Sequence, residues 1–159
     1  FGSILWQDND SQLKLLSSLG PEPLSYDFNN EVLYNASIGK SKNIKTFIMD
    51  SNVVVGVGNI YASESLFLAG ISPKRVSGKT SKNRYQTLTH SIKKILTDAI
   101  NNGGTTLNDF SNVDGSPGYF SQVLCVYDRE DMPCIRCNGK IKRIVQNQRA
   151  TYYCPKCQN

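Results

Sequence analysis

Apolar positions repeat at helical spacing over residues 80–102, where Tyr85, Leu88, Ile92, Ile95, Leu96 and Ala99 follow steps of three and four. That spacing predicts an amphipathic helix of several turns, with Ser81 placed to cap its start and Gly103-Gly104 to end it. Leu13, Leu16 and Leu19 predict a second helix over Ser11–Leu19, stopped by Gly20-Pro21. Ile44, Phe47 and Ile48 suggest a short helix, followed by the run Val53-Val54-Val55-Gly56-Val57-Gly58. Residues 59–70 then read as a helix with Asn59 as N-cap and Gly70 as its stop. Towards the C-terminus the pattern changes. Val123, Cys125 and Tyr127 fall on one face of an alternating run, and 140–145 and 149–153 read as two strands joined by the turn Gln146-Asn147-Gln148.

The chain has 159 residues, enough for one ordinary domain or two small ones packed together. Its 39% hydrophobic and 19% charged content is a globular balance, not a disordered one. No run approaches the roughly 18 to 20 apolar residues of a membrane-spanning helix. The opening Phe1-Gly2-Ser3-Ile4-Leu5-Trp6 has neither the basic region nor the small residues of a signal peptide, and no initiator methionine. It reads as part of a longer protein.

Charge changes this picture once it is localised. Residues 1–128 carry 11 Lys/Arg against 11 Asp/Glu, whereas residues 129–159 carry 7 against 2. The whole surplus of +5 therefore lies in the last 31 residues, as in a small module facing a polyanion. A solvated basic tail would have the same composition, but the cysteines argue against it. They run Cys134-x-x-Cys137, then 16 residues, then Cys154-x-x-Cys157. Each pair suits a tight knuckle, and two knuckles complete a tetrahedral four-thiolate zinc site. The absence of a secretory signal, and Cys125 left over as a fifth cysteine, favour zinc over two disulfides. Pro133 and Pro155 stiffen the approaches, and Asn138 suits a left-handed position closing the first knuckle. Such a metal is structural: four thiolates leave no coordination position for a reacting water. Cys125 reads as a small buried hydrophobe, and Arg149 falls near the tip of the hairpin.

Other candidate chemistry is sparse. The glycines before Asn59 admit either a phosphate site at a helix N-terminus or a buried valine-rich turn with an ordinary cap. His90, the one histidine, falls on the polar face of its helix beside Lys93 and Lys94. Residues 103–120 are rich in turn formers and read as a long functional loop. Neither a dinucleotide or Walker glycine motif nor a nucleophile–base pair is visible.

Taken together, these stretches resemble the C-terminal half of the bacterial formamidopyrimidine-DNA glycosylases. The matching segments are Leu19–Leu24, Ile44-Lys45, Val54–Ala69 (VVGVGNIYASESLFLA), Gly103–Leu107 with Asp109-Phe110, Asp114-Gly115, Pro117–Phe120, Val126-Tyr127 and Pro133 to Gln158. They run through nearly the whole chain in the family's order. The resemblance implies an α+β chain: a mainly α-helical helix–two-turns–helix domain, then a small β-hairpin zinc finger holding one structural zinc. The family's N-terminal β-sandwich would be absent except for its last strand. The parts would be 1–19 (that strand and a linker), 20–110 (helix–two-turns–helix), 111–128 (end of the lesion loop and a connecting strand) and 129–159 (zinc finger).

The resemblance also implies roles. Asn59 and Arg149 would hold phosphates flanking the damaged nucleotide, Lys45 and Tyr127 would add phosphate contacts, and Arg143 would lie near the same backbone. Leu107, Asn108, Asp109 and Phe110 would form a lid over the flipped base, a sensible device because the glycosidic bond is inaccessible inside the stack. Phe1 would wedge into the stack opposite the lesion. Three positions depart from the family's pattern: Asn108 where Lys or Arg is usual, and Asp128 and Asn138 where glycine is usual. The family's nucleophile, an amino-terminal proline followed by a glutamate acid, has no counterpart here, so this chain alone is expected to bind damaged duplex DNA without catalysis. The implied whole is a DNA repair glycosylase and AP lyase that excises 8-oxoguanine and formamidopyrimidines and nicks the strand by β,δ-elimination. It would be a monomer of the bacterial cytoplasm, associated with the nucleoid. The alternatives are the related glycosylase for oxidised pyrimidines and a non-catalytic zinc-ribbon nucleic-acid-binding module.

Overall fold

A computed structural model describes residues 14–104 and 123–159. Phe1 and the expected lid residues Leu107, Asn108, Asp109 and Phe110 lie outside the described residues. Helices α1 (Lys14–Ser17), α2 (Asn30–Ser37), α3 (Ile44–Ile48), α4 (Asn59–Leu68) and α5 (Lys82–Asn101) are followed by a hairpin of β1 (Lys142–Gln146) and β2 (Arg149–Tyr153).

The strongest periodicity gives the longest helix. Helix α5 buries Tyr85, Leu88, Ile92, Leu96 and Ala99, and ends at Gly103 and Gly104, both with positive φ. Its partner α4 has little amphipathic character because it is buried nearly all round: Ala62 through Phe67 are inaccessible between α5 on one side and the hairpin on the other. The body's core is Phe28, Leu33, Ile44, Phe47, Ile48, Val54, Val57, Ala62, Leu66, Ile71, Tyr85, Leu88, Ile92 and Leu96, all drawn from residues 28–96. Gly20 touches this body so closely that a Cβ would lie 2.5 Å from the Val53 carbonyl carbon, so the segment after α1 requires glycine there.

Several expectations shift. Helix α2 was not expected from periodicity: it is short, and Leu33 is its one fully buried apolar residue. Its signal lies at the start, where Asn29 Oδ1 accepts from the N–H groups of Glu31 and Val32. The first helix is shorter than expected within the described residues, and Leu16 and Leu19 are exposed. The alternating run at 123–127 is not a strand. Val126 is fully buried, Val123 is exposed and Cys125 is half-buried, since a turn there replaces the twofold alternation. The hairpin turn is the two residues Asn147 and Gln148, both with positive φ, so Gln146 joins the strand and pairs with Arg149.

Candidate nucleic-acid interface

Three elements distant in sequence meet at one ammonium group. Lys45, in the second position of α3, is only 1% exposed. Its Nζ donates to Asn59 Oδ1 at 2.6 Å, to the Ala150 carbonyl at 2.9 Å and to Thr151 Oγ1 at 2.7 Å. Burial, with the Arg149 guanidinium nearby, pushes its pKa down to about 8.

Asn59 is not the N-cap that the sequence suggests. Gly58 takes that place with extended backbone, and Asn59 is the first helical residue. Its Oδ1 is held by Lys45 instead of the helix amides, and its Nδ2 donates to the Tyr127 hydroxyl at 3.4 Å. Gly56, at φ 74°, makes the reversal that brings the chain into α4. Arg149 opens β2 at the hairpin tip, exposed, on the same strand face as Thr151. It lines a cleft of about 290 Å³ with Lys42, Lys45, Thr46, Met49, Asp50, Gln146 and Asn147. Lys42 pairs with Asp50 at 2.7 Å on the wall of this cleft, and Arg149 adds an exposed guanidinium beside that pair.

The structure therefore gathers Lys45, Asn59, Tyr127 and Arg149 into one neighbourhood. Arg143 approaches from the other face of the hairpin, at the Tyr152 hydroxyl. It pairs with Tyr152, three residues beyond Arg149, so the twofold alternation of the hairpin puts it on the opposite face. Asp128 stands beside that face with φ 57°, and its carboxylate accepts from the Tyr152 hydroxyl at 3.3 Å. A left-handed position explains why glycine would be at home there. His90 is exposed on α5.

Two residues of this region were not singled out from sequence. Thr151 looks like any strand threonine until its hydroxyl meets Lys45. Glu64 stands in mid-helix, 2% exposed, and its carboxylate accepts from backbone amides. Its Oε2 accepts from the Cys125 N–H at 2.9 Å, and its Oε1 from the N–H groups of Val126 and Tyr127 at 2.9 and 2.8 Å. Three backbone donors compensate the buried charge and turn the chain so that Tyr127 faces Asn59. The edge-to-face packing of Tyr127 on Tyr152, with centroids 5.1 Å apart, completes that wall.

The four expected thiols converge. The sulfurs of Cys134, Cys137, Cys154 and Cys157 all lie within 4.8 Å of one another. Two of the separations are 3.8 Å (Cys134–Cys157) and 3.5 Å (Cys137–Cys154). Four sulfurs about 2.3 Å from a tetrahedral zinc stand about 3.8 Å apart, so the two separations and the all-thiolate donor set fit that ion. Asn138 takes the left-handed position at φ 54°. Burial raises the Cys134 thiol, but the N–H groups of Arg136 and Cys137 and the neighbouring Cys154 and Cys137 sulfurs draw it down to about 7, while burial and the same close sulfurs push Cys154 and Cys157 up, so the thiols share their protons as one set. The finger docks on the body through charge as well as apolar contact. Arg136 stacks on the Phe67 ring, 4.4 Å from its centroid, and donates to the Phe67 and Leu68 carbonyls at the end of α4.

A helical body bearing a four-cysteine zinc finger, with a buried lysine and an exposed arginine at their junction, defines a class of nucleic-acid-binding architecture. Comparison with known proteins makes it specific. Residues 19–111 match the family described as formamidopyrimidine-DNA glycosylase H2TH domain, and the chain belongs to that family. Residues 133–159 match the zinc finger found in FPG and IleRS. A formamidopyrimidine-DNA glycosylase of Ruthia magnifica subsp. Calyptogena magnifica is 61% identical over 99% of this chain, and one of Alcanivorax borkumensis is 54% identical over 99%. The chain spans 58% and 59% of the lengths of these two relatives. Among solved structures, the MutM (FPG) protein from Thermus thermophilus superposes with a TM-score of 0.86 at 37% identity, covering 91% of this chain and 55% of that one. Lactococcus lactis Fpg in complex with DNA containing an abasic site gives 0.83 at 33% identity, covering 91% and 53%. The described residues contain no helix long and apolar enough to cross a membrane.

Proposed function

We propose that this chain is the DNA-gripping part of a base-excision-repair glycosylase and AP lyase that excises oxidised purines, 8-oxoguanine and formamidopyrimidines among them, from damaged duplex DNA. Its partner is the sugar–phosphate backbone beside the lesion, and the protein works as a monomer in the bacterial cytoplasm. The observation that carries the reading is the junction itself: Asn59 from α4 and Arg149 from β2 converge about Lys45, so the helical body and the finger form two jaws around one position. An exposed guanidinium offers a forked pair of donors to a phosphate, and the asparagine amide supplies another. Tyr127 flanks them, while Arg143 reaches the duplex from the other face of the hairpin. Such contacts fix register and contribute affinity without reading the base. The grip is the work assigned to these residues.

The test is the salt dependence of duplex binding. Replacing Arg149 with Ala is expected to weaken binding by about tenfold and to reduce the slope of log K against log salt by about 1. An unchanged slope removes Arg149 from the phosphate contact. Parallel assays of the full-length protein on 8-oxoguanine and thymine glycol duplexes separate the purine from the pyrimidine specificity.

A further inference from the structure

We infer that Lys45 is a positioning residue: its ammonium turns the Asn59 amide so that the NH2 group faces outward, and it does not itself hold phosphate. The inference rests on the phosphate-clamp reading of Asn59 and Arg149 and gives that clamp its missing part. A lysine ammonium has three protons, and here each is committed inside the protein, to Asn59 Oδ1, the Ala150 carbonyl and Thr151 Oγ1, at 2.6 to 2.9 Å. The residue is 1% exposed, and although it borders the cleft beside Arg149, its three protons are already engaged.

The consequence for Asn59 follows from hydrogen-bond polarity. The two ends of a carboxamide are alike in shape and opposite in role, and a phosphate oxygen only accepts. An ammonium only donates, so whatever end of Asn59 it touches must be the oxygen. Lys45 therefore decides which end is left for the ligand, and Nδ2 points the other way, towards the Tyr127 hydroxyl. A neutral or acceptor side chain at position 45 would let the amide turn over and set an oxygen against the phosphate.

The experiment measures binding of the zinc-loaded protein to a short duplex carrying a stable abasic-site analogue, over a range of salt. Asn59→Ala and Arg149→Ala test the clamp itself; if both bind like the parent protein, the clamp reading fails and Lys45 has nothing to position. If they weaken binding, Lys45→Met is decisive. Expected is a loss of about tenfold with the salt slope unchanged, and no additional loss when Lys45→Met is combined with Asn59→Ala. Lys45→Arg, which keeps the charge but not the three-bonded geometry, is expected to fail to restore binding. A slope lowered by about 1, additive losses, or full rescue by arginine would each make Lys45 a direct phosphate ligand and overturn the inference.

A second measurement needs no change at position 45. The groups that face Lys45 are Arg149 from β2, the Lys42–Asp50 pair on the cleft wall and the Tyr127 phenol beyond Asn59. As pH rises through about 8, Lys45 gains a lone pair that can accept from Nδ2 as readily as its remaining protons donate to Oδ1, so it no longer enforces the amide's orientation and affinity of the parent protein is expected to fall. In Asn59→Ala that fall should vanish. Its persistence there would show the lysine charge acting on DNA directly.

Discussion

The helical body and the zinc finger of this chain solve the same problem by opposite means. The body buries 14 core hydrophobics drawn from its own residues, with Tyr85 at the centre against Tyr34 and Phe47. The finger's cluster is six residues, Phe67, Val126, Cys134, Ile141, Tyr152 and Cys154, of which two are zinc ligands and one belongs to α4. A hairpin of two five-residue strands cannot enclose a core, so metal–sulfur bonds replace buried area. The difference shows where each part is vulnerable. The body depends on packing and the finger on its ligands, and the junction between them depends on two buried charges of opposite sign, Lys45 and Glu64, each satisfied by three hydrogen bonds.

The harshest way to break the comparison is to remove the metal. A structural zinc contributes on the order of 10 kcal/mol to a module of this kind, so chelation is expected to unfold residues 129–159 outright. The body should keep its helices, because no finger residue enters its core. Circular dichroism and hairpin amide resonances followed against chelator would check this; loss of both signals together would make the two parts one cooperative unit. Next in size is a cavity in the body. Phe47→Ala is expected to destabilise the helical unfolding transition by about 3 to 5 kcal/mol while leaving zinc affinity unaltered, which calorimetry and a zinc competition assay would resolve.

A smaller change sharpens the junction. Glu64→Ala leaves the N–H groups of Cys125, Val126 and Tyr127 without their acceptor, at about 3 kcal/mol, and hydrogen exchange at these three amides should accelerate more than in either neighbouring core. The smallest effect is expected from Arg136→Ala. Losing the stack on Phe67 and two carbonyl contacts at a partly solvated site amounts to about 1 kcal/mol, visible as a modest drop in the finger's unfolding midpoint. A larger loss would mean that docking on α4, and not zinc alone, holds the finger together.

Much of this was legible in the residues themselves, for local reasons. The 3.6-residue recurrence through Leu88, Ile92 and Leu96 specifies α5, the Cys-x-x-Cys spacing specifies the thiolate cluster, and the hairpin follows from alternation around a short polar turn. Each depends on neighbours within a few turns of chain, as does the left-handed Asn138. Sequence also marked Asn59, Arg149, Lys45 and Tyr127 through their likeness to a family. Folding decided what those side chains do. Asn59 loses its cap role because a lysine 14 residues earlier takes its oxygen, and Thr151 and Ala150 reach that lysine across 106 and 105 residues. The turn at 123–127 overrides an alternating pattern because the Glu64 carboxylate gathers its amides. Hydrophobic spacing is a property of the chain. Satisfying a buried charge takes donors and acceptors from whichever segments packing brings alongside, so only the tertiary structure could assign them.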